Sequence, residues 1–144
     1  MTDDPDIAHQ AEALRLAISG FVRRTRAGAD APSGARAETL HLLDTAGPQS
    51  IATLARARHV KHQSMRLVLR ELEQDGIVSA TPDPADARGR LYQLTAMGRA
   101  HLEGLRDRKR NWITTRLSED LTAAERAELA RLITLLDRLD DKTN

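Results

Sequence analysis

Cysteine is absent from this chain of 144 residues. That absence excludes thiol catalysis, disulfides and cysteine-based redox sensing. Aromatic residues are nearly absent too, limited to Phe21, Tyr92 and Trp112. The core must therefore be aliphatic, and with so few strand formers the composition favours a mostly α (α+β) fold. No run approaches the roughly 18 apolar residues of a membrane span, so no membrane partner is expected. The opening MTDDPDIAHQ is acidic, unlike a signal peptide, and the expected location is the cytoplasm. No Gly-x-Gly-x-x-Gly, Gly-x-Ser-x-Gly or His-Glu-x-x-His pattern occurs, so neither an enzyme nor a cofactor is expected.

What is present is globular: 40% hydrophobic and 30% charged residues in a length that suits one domain. The formal net charge of +1 is uninformative, but its distribution is not. From Thr45 to Arg70 there is no acid, against the bases Arg56, Arg58, Lys61, Arg66 and Arg70. The tail after Leu117 is predominantly acidic. A positive middle is what a phosphate backbone attracts.

Apolar residues at helical spacing (Ile7, Ala11, Leu14, Ile18, Phe21) predict a first helix over about 6–26. A second is expected over about 35–45, closed by Gly47-Pro48. A short third is capped by Ser50, and a fourth covers about 61–74 with Gly76 just past its end. Two strand-like runs, Ile77–Thr81 and Arg90–Leu94, flank a turn rich in Pro, Asp and Gly. A long fifth helix follows over about 96–117. A last one opens with Thr122-Ala-Ala-Glu125, a capping-box spacing. Helices, a hairpin with a charged tip and another helix make a winged helix-turn-helix with a two-stranded wing. The winged-helix part would span about 35–95. An all-helical dimerisation region would span about 5–27 and 96–141. The first and last helices carry apolar stripes that so small a middle cannot bury, and a second copy of the chain is the simplest cover.

The fourth helix has a core stripe of Met65, Val68, Leu69 and Leu72. Gln63, Arg66 and Arg70 gather on another side, because residues three or four apart are neighbours. N-terminal residues of such a helix enter a major groove. Arg66 suits guanine O6 and N7, Gln63 suits adenine, and Lys61, His62 and Ser64 suit phosphate or base edges. Arg88 and Arg90 at the wing are placed to touch nucleic acid. Leu67 falls between the faces, and the sequence leaves open whether it meets a thymine methyl or the core edge.

Two segments, TLARARHVKHQSMRLVLRELEQDGIV and DPADARGRLYQLTAMGRA, make the chain similar to the MarR family of winged-helix transcription regulators. The likeness extends from about Asp6 to Asp141. It implies a homodimer on double-stranded DNA, with the fourth helix in the major groove and the wing tip in the minor groove. It also implies that Asp86 orients Arg88 through an ion pair. Ala87 stands where the family often has arginine, and Arg66 where a small hydroxyl residue is common. Many relatives bind small anionic or phenolic effectors in a cleft, whose counterparts here are Phe21, Arg24, His41 and Trp112. Glu38, His41 and His101 form the only arguable metal set, and none is expected to bind. The run Arg106–Arg110 reads as a solvated helix face. The rival class is a winged-helix module that binds protein rather than DNA.

Overall fold

The computed structural model describes residues 5–140. The acidic opening before Pro5 and the expected limit of the last helix at Asp141 lie outside them. The elements run α1 (Pro5–Gly28), α2 (Ala35–Ala46), β1 (Gln49–Ser50), α3 (Ile51–Ala57), α4 (His62–Gln74), β2 (Val78–Asp83), β3 (Asp86–Leu94), α5 (Ala96–Asp120) and α6 (Ala123–Asp140). Each expected helix is present within a few residues of its predicted bounds.

The stop signals act as their chemistry dictates. Ser50 caps α3 by accepting the Thr53 N–H at 3.2 Å, which satisfies one of the donors a helix start leaves free. Gly76 ends α4 at φ 71°. In that left-handed conformation its N–H reaches the Glu73 carbonyl, and the Ile77 N–H reaches that of Leu72. At α6, the Thr122 N–H donates to Glu125 Oε2 at 2.8 Å, and the Glu125 N–H donates back to Thr122 Oγ1 at 3.3 Å. The Thr122 N–H, and after it the Thr122 hydroxyl donating to Glu125 Oε2 at 2.8 Å, hold the Glu125 carboxyl below its usual range. The support they give α6 is therefore present above the ordinary glutamate pKa and lost as pH falls through the lowered one.

The sheet contains the expected two-stranded wing, β2 paired with β3, and extends it. It has three antiparallel strands in the order β1-β3-β2. The added strand pairs Gln49 with Tyr92 and Ser50 with Leu91, and two residues are too few to show an alternation. The wing strands also run further than expected. Pro82 pairs with Arg90 and Asp83 with Asp86, so the tip narrows to Pro84-Ala85. Pro82 is tolerated because β2 is an edge strand, and the register shifts between Pro82 and Asp83.

The core lies between α2, α3, α4 and the sheet. Leu40, Leu43, Leu54, Met65, Leu69, Leu72, Val78, Tyr92 and Leu94 are buried in one cluster. Each large aliphatic side chain there contributes on the order of 2 kcal/mol by leaving water. Thr39, fully buried, donates its hydroxyl to the Ala35 carbonyl at 2.7 Å.

The junction of α4, β3 and α5 is tightly built. The Thr95 N–H donates to the Ile77 carbonyl at 3.0 Å, and the Thr95 hydroxyl donates to that of Gly76 at 2.6 Å. The same hydroxyl oxygen accepts the Gly98 N–H at 3.0 Å. The first turn of α5 thus rests on the turn that closes α4. Gly98 lies so close to the Ile77 carbonyl that a Cβ there would overlap it.

The helical arms are bound more loosely. α5 buries Leu105 and half-buries Leu102, Trp112, Ile113 and Leu117. Trp112 covers Gly28 and sits 6.3 Å, ring centre to ring centre, from Phe21. Ile7, Leu16, Ile18, Phe21 and Val22 of α1 are exposed, as are Leu132, Ile133, Leu135 and Leu139 of α6.

Candidate nucleic-acid interface

The α3–α4 turn passes through His59, which takes a left-handed φ of 51°. Beside it, Arg58 is mostly buried and donates to Glu38 Oε2 at 2.7 and 3.1 Å. Arg36 of α2 bonds Asp75 and reaches Glu71 Oε2 at 3.5 Å. The bond to Asp75 raises the Arg36 pKa above the ordinary arginine value. α2 is thereby fastened to the turn before α4 and to the end of α4.

Met65, Leu69 and Leu72 turn inward, while Lys61, His62, Gln63, Ser64, Arg66 and Arg70 are exposed. Lys61 occupies the cap position with extended backbone, one residue before the helix. No acid pairs with Lys61, Arg66, Arg70 or Arg88 among the described residues. Solvent-facing cations without partners keep their full field for an incoming polyanion.

The start of α3, the first turns of α4 and the wing enclose one concavity of about 500 Å³. His62, Arg66, Arg88 and Arg90 all line it, together with Ser50, Ala52 and the carboxylates of Asp83 and Asp86. Ser50 and Ala52 carry no sequence signal for such a place. Ser50 reads only as a cap, and what brings it here is the β1–β3 pairing.

Two wing residues depart from expectation. The ion pair between Asp86 and Arg88 is not formed. Asp86 Oδ1 instead accepts the backbone N–H of Arg88 at 3.0 Å. A short carboxylate reaches the amide two residues on more readily than a long, mobile guanidinium. Asp86 thus fixes the backbone at Arg88 and leaves its side chain free. Arg90 is drawn toward the end of α4, with Nη2 at 3.9 Å from Glu73 Oε1 and 3.4 Å from the Ala80 carbonyl.

Residues 34–89 match the profile of the MarR family. The structure is similar to a transcriptional regulator from Thermotoga maritima (20% identity, TM-score 0.81, covering 91% of this chain and 96% of that one). It is also similar to a provisionally assigned transcriptional regulator from Pseudomonas aeruginosa (29% identity, TM-score 0.77, 96% and 98%). A third likeness is to a mutant MarR from E. coli (23% identity, TM-score 0.65, 88% and 94%). Among curated proteins nothing matches.

Of the four expected effector residues, His41 and Phe21 line different cavities. His41 lines a cavity of about 590 Å³ between α2, α4 and α5, with Leu40, His101, Leu105 and Lys109. Phe21 lines a smaller groove of about 270 Å³ between α1 and α5, which also holds Thr25, Lys109 and Ile113. Trp112 packs on Gly28 and Phe21, and Arg24 is exposed on α1. Among the described residues no group of three or more His, Asp or Glu could hold a metal ion, and no helix is long and apolar enough to cross a membrane.

The basic run at 106–110 is exposed throughout, as expected, but its cations are not all unpaired. Arg106 bonds Asp44 of α2 and Glu103, and Arg110 bonds Asp107. Lys109 has no acidic partner among the described residues and lines both cavities. A pattern of like charges cannot reveal which of them meets an acid 62 residues away.

Proposed function

We propose that this chain is a sequence-specific, double-stranded-DNA-binding transcription regulator. It acts in the cytoplasm as a homodimeric repressor on a pseudo-palindromic operator and is released by a small anionic or phenolic effector. The observation that carries the reading is the concavity where His62, Arg66 and Arg88 converge, unpaired, from two elements distant in sequence. Residues 35–95 would read DNA, and the arms over 5–27 and 96–141 would pair two copies. Their exposed apolar stripes support that pairing. Two-fold symmetry sets half-sites about one helical turn, ~10 bp, apart. A dimer lying over a promoter excludes polymerase. An effector in the cavity beside His41 and Lys109 would bear on the Arg106–Asp44 link between α5 and α2. It would bias the spacing of the two recognition helices by its preference for one arrangement.

The test is fluorescence anisotropy on DNA from immediately upstream of the gene, across a salt series. Tight binding at moderate salt that survives competitor DNA is expected. Weak binding, equal on every duplex and lost with salt, would leave only backbone attraction and favour the protein-binding module instead.

Arg66 and Arg88 should fail differently. Arg66→Ala is expected to cost roughly 1–3 kcal/mol and to relax preference at one position per half-site. Equal loss on all sequences would make Arg66 a phosphate contact. Arg88→Ala should weaken binding most where the flanking minor groove is A·T-rich, since narrow grooves concentrate negative potential. Affinity that ignores flanking sequence would remove that role.

A further inference from the structure

Leu67 is 55% exposed in the middle of α4. Between Val22 and Met97 it is the only strongly exposed large hydrophobic among the described residues. It does not belong to the core edge. Val68 packs partly against the core cluster, and Leu67 does not. At about 100° per residue, Gln63 and Leu67 fall within roughly 30° of the line opposite Met65, Leu69 and Leu72. Leu67 therefore occupies the centre of the outer face, between Gln63 one turn before it and Arg70 one turn after. Its helix neighbours one turn away, Gln63, Ser64, Arg70 and Glu71, are all polar.

We infer that Leu67 is the apolar reader of the recognition helix and takes the 5-methyl group of a thymine in the major groove. This rests on the DNA-reading function proposed above. The unpaired cations Arg66 and Arg70 on the same helix supply the charge complementarity that brings a duplex to this face. Once there, leucine can neither donate nor accept a hydrogen bond. Set against a base edge that carries only polar atoms, it would strip them of water without replacement. The thymine methyl is the one apolar group the major groove displays. The helix then presents three chemistries on its outer side: an amide at Gln63, a guanidinium at Arg66 and a hydrocarbon at Leu67.

The experiment begins by selecting duplexes from a random-sequence pool with the wild-type protein. Each thymine of the selected site is then replaced by deoxyuridine, which keeps the base pair and the O4 acceptor and removes only the methyl. Wild-type affinity is expected to fall about 4-fold at one position of each half-site, the worth of one methyl group taken out of water. Leu67→Ala should bind the thymine duplex about as weakly as the wild type binds the uracil one, and should be indifferent to the replacement at that position. Leu67 is exposed, so the variant keeps the fold, and its unchanged thermal melt is the control. Uracil replacements that are all neutral, or a Leu67→Ala protein still sensitive at the same position, would overturn the assignment while leaving DNA reading intact. A pool that returns no preferred sequence would overturn the DNA-reading function itself and this assignment with it.

Discussion

Gly98→Ala is expected to destabilise the protein by at least about 3 kcal/mol, the upper range for forcing a methyl into a closed site. For a chain of this size that lowers the melting temperature by on the order of 10 °C. The new Cβ would overlap the Ile77 carbonyl oxygen. That oxygen belongs to backbone and cannot swing aside as a side chain would. Making room means lifting the start of α5 off the turn after α4, which pulls on the Thr95–Ile77, Thr95–Gly76 and Gly98–Thr95 bonds together. Gly104→Ala in the same helix is the counterpart. Nothing lies within 4 Å of a Cβ at that position, so alanine's better helix propensity should stabilise by about 0.5–1 kcal/mol. Differential scanning calorimetry on the two variants should give shifts of opposite sign. Equal shifts would mean that the Thr95–Gly98 turn yields more easily than its hydrogen bonds indicate.

Leu135→Asp is expected to convert the protein into a monomer and to weaken operator binding about 100-fold or more. Leu135 is exposed on α6 beside Leu132 and Leu139, so a carboxylate there costs the single chain little. In a seam between two copies the same carboxylate would be stripped of water without a partner. Each protomer would then have to find its half-site alone, losing the effective concentration that linkage supplies, a factor of 10² or more. Sedimentation equilibrium and anisotropy measure the two effects, with circular dichroism as the control for helicity. A variant that keeps both its mass and its affinity would move the seam off α6.

The sequence was readable where a feature repeats or closes locally. The helices announced themselves by spacing, and their ends by residues acting within one turn, such as Ser50 with Thr53 and Thr122 with Glu125. The strand at Gln49–Ser50 did not, because its only partner lies 40 residues on. The same holds for the interface. The cations of α4 were visible as residues on one face. That Ser50 and the wing close around them depends on sheet register. Pairing was harder still. The local spacing shows that Arg106 can meet Glu103, but not that it also meets Asp44 of another helix. The link between Asp86 and Arg88 runs through a backbone amide, which residue types alone do not reveal.

The scarcity of aromatic rings gives the molecule two separate optical reporters. Its single indole, Trp112, rests on Gly28 across the contact between α1 and α5. Its single phenol, Tyr92, is buried in the sheet behind the wing. Light absorbed near 295 nm excites the arm alone. Emission from Trp112 then follows loosening of α1 from α5, or occupation of the groove beside Phe21, with no label attached and no background from the DNA-reading half. A change in indole emission on adding an effector, timed against release of the duplex, would give the order in which the two halves of the molecule move.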